Sequence, residues 1–247
     1  MIPTFEERVE AWSSPPVDDI GYISSQKLLA LREDEFLQLI RNMEETRYLG
    51  WRNYKNAWRE VLGLDSTHDQ YVLDCGCGTG MEALQYARAG NSVVVADISR
   101  ENVRVAMRLL QLEGYEAGSF QITEEFLVNG LFGEFDVIHC AGCLHHIPDP
   151  LPVVEAMVEQ LKPAGEIRLM LYSAEAWKVA CGTEPPEVVE DDPQFERYWT
   201  HWDPIGGYAD WYSYERLEQR FGHLLRIKRY KPLTRNGQYI GAVLGKR

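Results

Sequence analysis

The chain has little positive charge for its size. Its 247 residues include 25 lysines and arginines against 38 aspartates and glutamates, a formal net charge of −13. Proteins that bind nucleic acids draw much of their affinity from basic side chains that neutralise phosphates. A nucleic-acid substrate is therefore not expected.

Long apolar stretches are also missing. The chain has no run of about 18 apolar residues, the length that a transmembrane helix needs. The first residues, MIPTFEERVEAW, carry acids where a secretion signal has basic residues followed by an apolar stretch. We expect a cytoplasmic protein that does not bind membranes.

Cysteines are few, and their number argues against a disulfide framework. There are five of them in a chain without a recognisable secretion signal. Cys75 and Cys77 lie in one Gly-rich turn, and Cys140 and Cys143 follow a later strand, close to a pair of histidines. This grouping is compatible with a metal site. We favour the alternative that small thiols simply pack well at such turns, and predict no metal.

Several catalytic motifs are absent as well. The chain contains no GxSxG nucleophile elbow and no GKS or GKT phosphate loop. Its Gly-rich turn reads GxGxG, through Gly76, Gly78 and Gly80, rather than the GxGxxG of dinucleotide-binding proteins. The absence of the first two motifs argues against the hydrolases and phosphate-loop proteins that depend on them, and the GxGxG spacing makes a dinucleotide-binding protein a lesser alternative.

What the chain does contain is a βαβ unit around VLDCGCGTG. An apolar strand that includes Val72 and Leu73 leads into the three glycines, and a helix follows until Gly90. A second apolar strand then ends at Asp97. Turns of this kind, at the carboxyl end of a parallel strand, are where such sheets bind nucleotides.

Two acids of this unit indicate the charge of the ligand. Asp74 stands directly before the first glycine, where a carboxylate would repel a pyrophosphate but suits an ammonium group. Asp97, at the end of the second strand, is placed to accept hydrogen bonds from ribose hydroxyls. An adenosine joined to a cationic amino acid satisfies both acids.

Two later segments, FDVIHCAGCLHHIPDP and LKPAGEIRLMLYS, complete a family pattern in order and spacing. From Tyr71 to Ser173 the sequence resembles the class I S-adenosylmethionine (SAM) methyltransferases. More loosely, it resembles their small-molecule branch, which includes the ubiquinone and menaquinone C-methyltransferases. The resemblance implies SAM as the cofactor and a small molecule as the methyl acceptor.

The resemblance also implies which residues bind the cofactor. Those expected on the methionine side of SAM are Asp74, Cys75, Gly76, Gly78 and Gly80. Asp97 is expected to hold the ribose with Ile98 beside it, and the backbone from Cys140 to Leu144 to meet the ammonium group. The family usually has an Asp against the adenine amino group after the third strand, GSFQI. This chain has Thr123 and Glu124 there, and Glu124 is the candidate replacement.

The rest of the chain alternates strands with helices. GSFQI, FDVIHCA and EIRLMLY are predicted strands, a helix from Pro150 to about Lys162 precedes the last, and LLRIKRY and QYIGAVLG form a hairpin. Such alternation predicts a parallel sheet. With the resemblance, it indicates an α/β fold of the Rossmann-like class I methyltransferase type. The sheet is then mostly parallel and seven-stranded, with an antiparallel edge hairpin.

We predict two regions, a helical N-terminal extension over residues 1–70 and the SAM-binding methyltransferase domain over residues 71–247. In the extension, WRNYKNAWREVLGL places Trp51, Tyr54 and Trp58 on one face of a helix. We favour packing against the sheet over the alternative that Trp51 or Tyr54 closes over the cofactor.

Residues 174–213 interrupt the alternation with an acidic and then strongly aromatic segment. Long insertions at the functional end of a domain are often lids or binding loops, so we predict an acceptor-binding lid. Its candidate acceptor contacts are Trp202, Tyr208, Asp210 and Trp211. The alternative is that these aromatic residues only fix an irregular loop to the domain.

His145 is the candidate catalytic base. It follows the fourth strand, near the expected methyl group, and the ordinary pKa of about 6.5 of a histidine suits proton removal at neutral pH. His146 is a second candidate, and a part of the cofactor cradle is the alternative role for His145.

These observations predict a SAM-dependent methyltransferase that methylates oxygen, nitrogen or carbon of a small molecule. A SAM-binding module without catalysis remains an alternative. An NAD-dependent oxidoreductase is a lesser one, since its cofactor would place a pyrophosphate beside Asp74.

Overall fold

A computed structural model describes residues 2–17, 21–50, 53–124 and 134–247. The α-helices in these ranges are α1 Phe5–Trp12, α2 Ser25–Ala30, α3 Glu33–Glu44, α4 Ala57–Leu62, α5 Met81–Arg88, α6 Arg100–Leu112, α7 Leu151–Glu159, α8 Ala174–Cys181, α9 Phe195–Trp202 and α10 Tyr214–Phe221. The strands are β1 Pro16–Val17, β2 Gly21–Tyr22, β3 Tyr71–Cys75, β4 Ser92–Asp97, β5 Ala117–Gln121, β6 Phe135–Ala141, β7 Leu161–Tyr172, β8 Leu225–Pro232 and β9 Tyr239–Lys246.

Seven strands form one sheet in the order β5-β4-β3-β6-β7-β9-β8. Neighbours from β5 to β7 pair in parallel, and β9 runs antiparallel to both β7 and β8. The predicted α/β fold, with its mostly parallel sheet and antiparallel edge hairpin, is confirmed. The strand β4, which follows β3 in the chain, pairs with one edge of β3, and β6 pairs with the other edge. This reversal opens a crevice at the carboxyl ends of β3 and β6, where open α/β sheets bind ligands.

An apolar cluster covers each face of the sheet. Alternate residues of a strand point to opposite faces, so neighbouring residues of β3 belong to different clusters. Val72 belongs to the apolar cluster that includes Trp58 and Leu84, and Leu73 to the cluster that includes Met157 and Phe221. Burying a large apolar side chain of this kind stabilises the fold by about 2–3 kcal/mol. Such packing holds the strand ends at fixed positions around the crevice.

Two predicted helix boundaries are wrong. The helix predicted over WRNYKNAWREVLGL begins only at Ala57, because Lys55 and Asn56 have left-handed backbone angles (φ 52° and 60°) that an α-helix does not accept. The helix predicted to reach Lys162 ends at Glu159, since β7 already pairs with β6 from Leu161 onward.

The structure describes two of the three aromatic residues predicted on one face of the extension, Tyr54 and Trp58. Trp58 is 1% exposed, and α4 packs against β8 and β9, as the packing interpretation expects. Tyr54 does not line the cavity described below. Trp51 lies outside the described residues.

Residues 174–213 are built of two helices, α8 and α9, with a 3-10 turn at Val189–Asp191 between them. Ser173 caps α8 by accepting hydrogen bonds from the backbone of Glu175 and Ala176. Across the ranges that the structure describes, no helix is both long enough and apolar enough to cross a bilayer.

Candidate active site

A cavity of about 380 Å³ opens at the carboxyl ends of the central strands. One group of lining residues, here called the glycine-loop wall, comprises Cys75, Gly76, Gly78, Asp97 and Ile98. A second group, called the aromatic wall, comprises Trp12, Tyr22, His145, Tyr172 and Trp202, and it adjoins the first where Asn102 donates hydrogen bonds to both the Trp12 carbonyl oxygen and Asp97. A concave site of this size, apolar with a few polar groups, is typical of small-molecule binding sites.

The glycine-loop wall depends on residues without a side chain. Gly76 has a φ of 78°, and a Cβ atom there would lie 2.1 Å from the Cys143 sulfur. Gly80 has a φ of 81°, and its Cβ would lie 2.7 Å from Ala106 of α6. Gly76 therefore keeps the loop against the turn after β6, and Gly80 lets α5 pack on α6. Gly76 lines the cavity and Gly80 does not.

Asp97 is the acid that the wall presents to the cavity. Its Oδ1 accepts hydrogen bonds from the Ser99 backbone (2.9 Å) and Asn102 Nδ2 (3.1 Å), and its Oδ2 accepts one from the Gly78 backbone (3.0 Å). Burial raises the pKa of Asp97 to about 6, although these hydrogen bonds oppose the shift. Since Oδ2 has one donor among the described residues, it keeps a lone pair for a ligand.

Asp74 lies behind this wall and does not line the cavity. Its Oδ2 accepts a hydrogen bond from the Ala83 backbone (3.1 Å), in the first turn of α5. Burial, and after it the negative charge of Glu82, raises the pKa of Asp74 well above its usual range. A cation bound in the crevice would favour the ionised form.

The remaining predicted cofactor residues divide between the cavity and its surroundings. Cys75, Ile98 and Cys140 line the cavity, whereas Leu144 is buried next to it. Glu124 is exposed and does not line the cavity, and the segment that follows it, 125–133, lies outside the described residues.

His145 lies on the aromatic wall in a 3-10 turn, Leu144–His146, directly after β6. It is completely buried, and neither of its ring nitrogens has a hydrogen-bond partner among the described residues. Burial, and after it the charge of His146, lowers its pKa well below 6.5. His145 is therefore a neutral imidazole whose lone pair no described residue engages, but its lowered pKa makes it a weaker base than the ordinary histidine expected from the sequence.

His146 differs from His145 because both of its ring nitrogens are engaged. Its Nδ1 lies 2.8 Å from the Tyr208 carbonyl oxygen, and its Nε2 lies 3.2 Å from Asp203 Oδ2. Its ring also lies against Trp12, with 4.7 Å between the ring centroids.

Of the four predicted acceptor contacts, Trp202 lines the cavity and the other three do not. Asp210 instead pairs with Arg216 (3.1 Å) and Arg220 (2.7 Å), and the guanidinium of Arg216 stacks on Trp211. Tyr208 reaches the site only through its backbone, which holds His146.

Sequence reasoning missed several residues that line the cavity. Trp12 and Tyr22 come from the N-terminal extension, Tyr172 ends β7, and Asp203 follows α9. A further pair, Arg47 and Glu82 (2.6 Å), also lines it. Asp203 had no distinguishing signal except its place in an aromatic stretch, HWDPIGG.

The fold and the site together define a class of protein. An open sheet with this strand order, a Gly-rich loop after one central strand and an acid at the end of the next is the arrangement of the class I methyltransferases. The residues of the cavity fit SAM, because the glycine loop leaves room for close approach and Asp97 keeps an acceptor lone pair.

Comparison with known proteins agrees with this class. A family model described as "Methyltransferase domain" matches residues 42–224. The chain therefore belongs to this family, and it is a SAM-dependent methyltransferase. Among solved structures, a SAM-dependent methyltransferase from Clostridium acetobutylicum has a TM-score of 0.57 at 15% identity, covering 85% of this chain and 98% of that one. A second, from Aquifex aeolicus, has a TM-score of 0.55 at 17% identity, covering 84% and 96%. At these identities the structures establish the fold alone.

The curated relatives are more similar in sequence. A ubiquinone biosynthesis O-methyltransferase of Pseudomonas paraeruginosa is 40% identical over 99 residues, which are 40% of this chain and 42% of that protein. One from Erwinia tasmaniensis is 33% identical over 172 residues, 66% of each protein. The chain thus matches less than half the length of the first of these relatives.

Proposed function

We propose that the protein transfers the methyl group of SAM to a hydroxyl oxygen of a small aromatic molecule. The proposal agrees with the names of the two curated relatives, which are O-methyltransferases. The aromatic side chains that line the cavity favour a flat, apolar acceptor, because ring faces stack on one another.

The glycine-loop wall binds the cofactor in this proposal. Asp97 accepts a hydrogen bond from one ribose hydroxyl with its remaining lone pair, and Ile98 packs beside the nucleoside. Gly76 and Gly78 allow close approach, and buried Asp74 contributes negative charge from behind the loop. Bound SAM supplies an electrophilic methyl group on a positively charged sulfur.

The aromatic wall positions the acceptor and excludes water. Trp12, Tyr22 and Trp202 hold the acceptor ring so that its oxygen faces the glycine-loop wall. Fixing two reactants in line is the main source of acceleration in such a displacement, and a dry site favours a reaction that disperses positive charge.

His145 removes the hydroxyl proton, and this residue carries the proposal. A hydroxyl must lose its proton when its oxygen is methylated, and His145 is a buried, neutral imidazole on the cavity whose ring nitrogens are without partners in the described parts of the chain. A general base of this kind contributes about 10²–10⁴ to the rate.

The test is a transfer assay with SAM carrying a ¹³C-labelled methyl group. Purified protein is incubated with a panel of phenols and catechols, matched aromatic amines and carbon acids. S-adenosylhomocysteine is then quantified, and NMR identifies the methylated atom. An O-methyl product is expected. An N-methyl or C-methyl product, or cofactor binding without turnover of any acceptor, would overturn the proposal.

A pair of variants tests the base. His145→Ala should lower kcat by about 10²–10³ while leaving affinity for S-adenosylhomocysteine within about twofold. His223→Ala, which removes an exposed histidine at a distance from the cavity, is the control and should behave as wild type. An equal loss of kcat and cofactor affinity in His145→Ala would reject the base in favour of a cradle role.

A further inference from the structure

Asp203 connects three separate parts of the chain at the cavity. Its Oδ1 accepts a hydrogen bond from the Tyr22 hydroxyl of β2, and its Oδ2 accepts one from the Tyr172 hydroxyl of β7. The same Oδ2 lies 3.2 Å from His146 Nε2, in the turn after β6. Asp203 itself is 8% exposed.

The ring of His145 depends on these contacts for its orientation. Neither of its nitrogens has a partner within the described ranges, so no hydrogen bond fixes the ring. It lies instead against two other rings, with 4.0 Å between the centroids of His145 and Tyr172 and 4.2 Å between those of His145 and His146. Both flanking side chains are bonded to Asp203.

Hydrogen-bond geometry also separates the roles of the two histidines. A carbonyl oxygen and a carboxylate oxygen are both acceptors, so His146 needs a proton on each ring nitrogen to bond to Tyr208 and Asp203. With both protons it has no lone pair and is not a base. Burial opposes ionisation of Asp203, but the charge of His146 and the hydrogen bonds outweigh it and hold its pKa far below the usual range.

We propose that Asp203 is a positioning residue for methyl transfer, which acts through His146 and Tyr172 to hold the His145 imidazole on the cavity with its lone pair free. The proposal rests on the proposed function, since it gives His145 the role of base. Asp203 touches the rings that flank His145 rather than His145 itself.

The same side chains suggest one competing arrangement. Ligand atoms of His145, His146 and Asp203 lie within 4.8 Å of one another, which is compatible with a divalent cation bound by two imidazoles and a carboxylate. The ion pair between His146 and Asp203 is favoured over a bound cation, because each carboxylate oxygen of Asp203 already accepts a hydrogen bond from a tyrosine hydroxyl. The experiment includes a metal measurement for this reason.

A double-mutant cycle tests the proposal, using the panel phenol with the highest turnover. Asp203→Asn, which keeps the shape of the side chain, should lower kcat by about 10–100-fold and leave affinity for S-adenosylhomocysteine within about twofold. In the His145→Ala background the same substitution should change kcat less than about twofold, because the group it positions is gone. The kcat of the His145→Ala single variant tests the base itself. An unchanged kcat in that variant would therefore reveal a failure of the proposed function separately from a failure of the positioning role.

Two further variants serve as controls. Asp191→Asn removes the same charge from an exposed residue of the same segment and should leave kcat unchanged. Tyr172→Phe removes one hydroxyl from Asp203 but keeps the ring, and should cause a smaller loss that also disappears without His145. It keeps the proposal testable if Asp203→Asn folds poorly.

A spectroscopic measurement does not depend on the acceptor. In protein labelled with ¹⁵N-histidine, His146 should show two protonated ring nitrogens, and one in Asp203→Asn. The proposal is overturned if wild-type His146 shows only one protonated ring nitrogen. It is also overturned if Asp203→Asn lowers kcat by the same factor in the presence and in the absence of His145. It is also overturned if the purified protein holds one divalent metal per chain whose removal by a chelator abolishes activity.

Discussion

The two walls of the cavity are built by different routes. The glycine-loop wall is made of consecutive strand ends of one sheet, where Gly78 and Asp97 are joined across 19 residues. The aromatic wall joins distant segments, and its Tyr22–Asp203 bond spans 181 residues. The first wall is set by local backbone chemistry and parallel pairing. The second takes His145 and Tyr172 from the ends of β6 and β7, but Trp12, Tyr22 and Trp202 from the N-terminal extension and residues 174–213, which fold over the sheet. We therefore expect substitutions on the two walls to separate cofactor binding from turnover.

The largest expected effect is on stability, from a residue that does not line the cavity but lies behind the aromatic wall. Asp210→Ala leaves buried Arg216 without its ion-pair partner, and should lower the free energy of unfolding by about 3 kcal/mol. Urea denaturation measures this, with Asp191→Ala on the exposed surface as the control, expected to change it by less than about 0.5 kcal/mol. A fully stable variant that fails to turn over the acceptor would instead place Asp210 among the acceptor contacts.

The next effect is on the glycine-loop wall. Gly76→Ala should weaken S-adenosylhomocysteine binding by at least about 100-fold, since the added methyl group must displace the Cys143 sulfur in a left-handed backbone position. Calorimetric titration measures it. Gly90→Ala is matched, because Gly90 also has a positive φ (84°) but open space around it, and should bind normally. Adding Cys143→Ala to Gly76→Ala should recover part of the affinity; no recovery would mean that the clash is not the cause.

A smaller effect is the pH dependence of cofactor affinity. Burial raises the pKa of Asp97 to about 6, and the ionised form is the better acceptor for ribose hydroxyls. Affinity for S-adenosylhomocysteine should be constant above about pH 7 and fall by at most tenfold per unit as the pH drops through about 6. Asp97→Asn should bind weakly at every pH, with a flatter profile. A wild-type profile that is already flat would contradict this assignment.

The smallest effect is on acceptor affinity. Trp202→Phe keeps an aromatic ring but reduces the apolar contact area. It also removes the hydrogen bond from Trp202 Nε1 to the Ala176 carbonyl oxygen (3.1 Å). It should raise KM for the acceptor by about 3-fold without changing cofactor affinity. Trp199→Phe is the matched control, because Trp199 lies in the same helix and does not line the cavity. Equal effects of the two variants would indicate that α9 supports the cavity only through packing.

The same division explains what the sequence predicted. The positions of Gly76, Asp97 and His145 follow from one rule, that parallel strands end at a common edge, so the spacing of glycines and acids along the chain was sufficient. The parallel sheet was predictable from the alternation of strands and helices, and the antiparallel hairpin from two strand-like segments on either side of RNG and from the family resemblance. Helix ends such as Ala57 were not, because a pair of left-handed residues overrides the apolar periodicity.

The aromatic wall was only partly predictable. Aromatic density marked the segment 174–213, and Trp202 does line the cavity. Which of its acids faces the cavity depends on the partner each one meets. Asp203 meets Tyr22, which is 181 residues away, whereas Asp210 meets the nearby Arg216 and Arg220. No local pattern distinguishes the two aspartates.

The most direct test of the two-wall account measures cofactor affinity and turnover in the same pair of variants. Asp97→Ala is predicted to weaken S-adenosylhomocysteine binding by about tenfold or more, and His145→Ala to lower kcat by at least 100-fold with unchanged binding. If His145→Ala lost cofactor affinity and Asp97→Ala retained it, the assignment of the two walls would be contradicted.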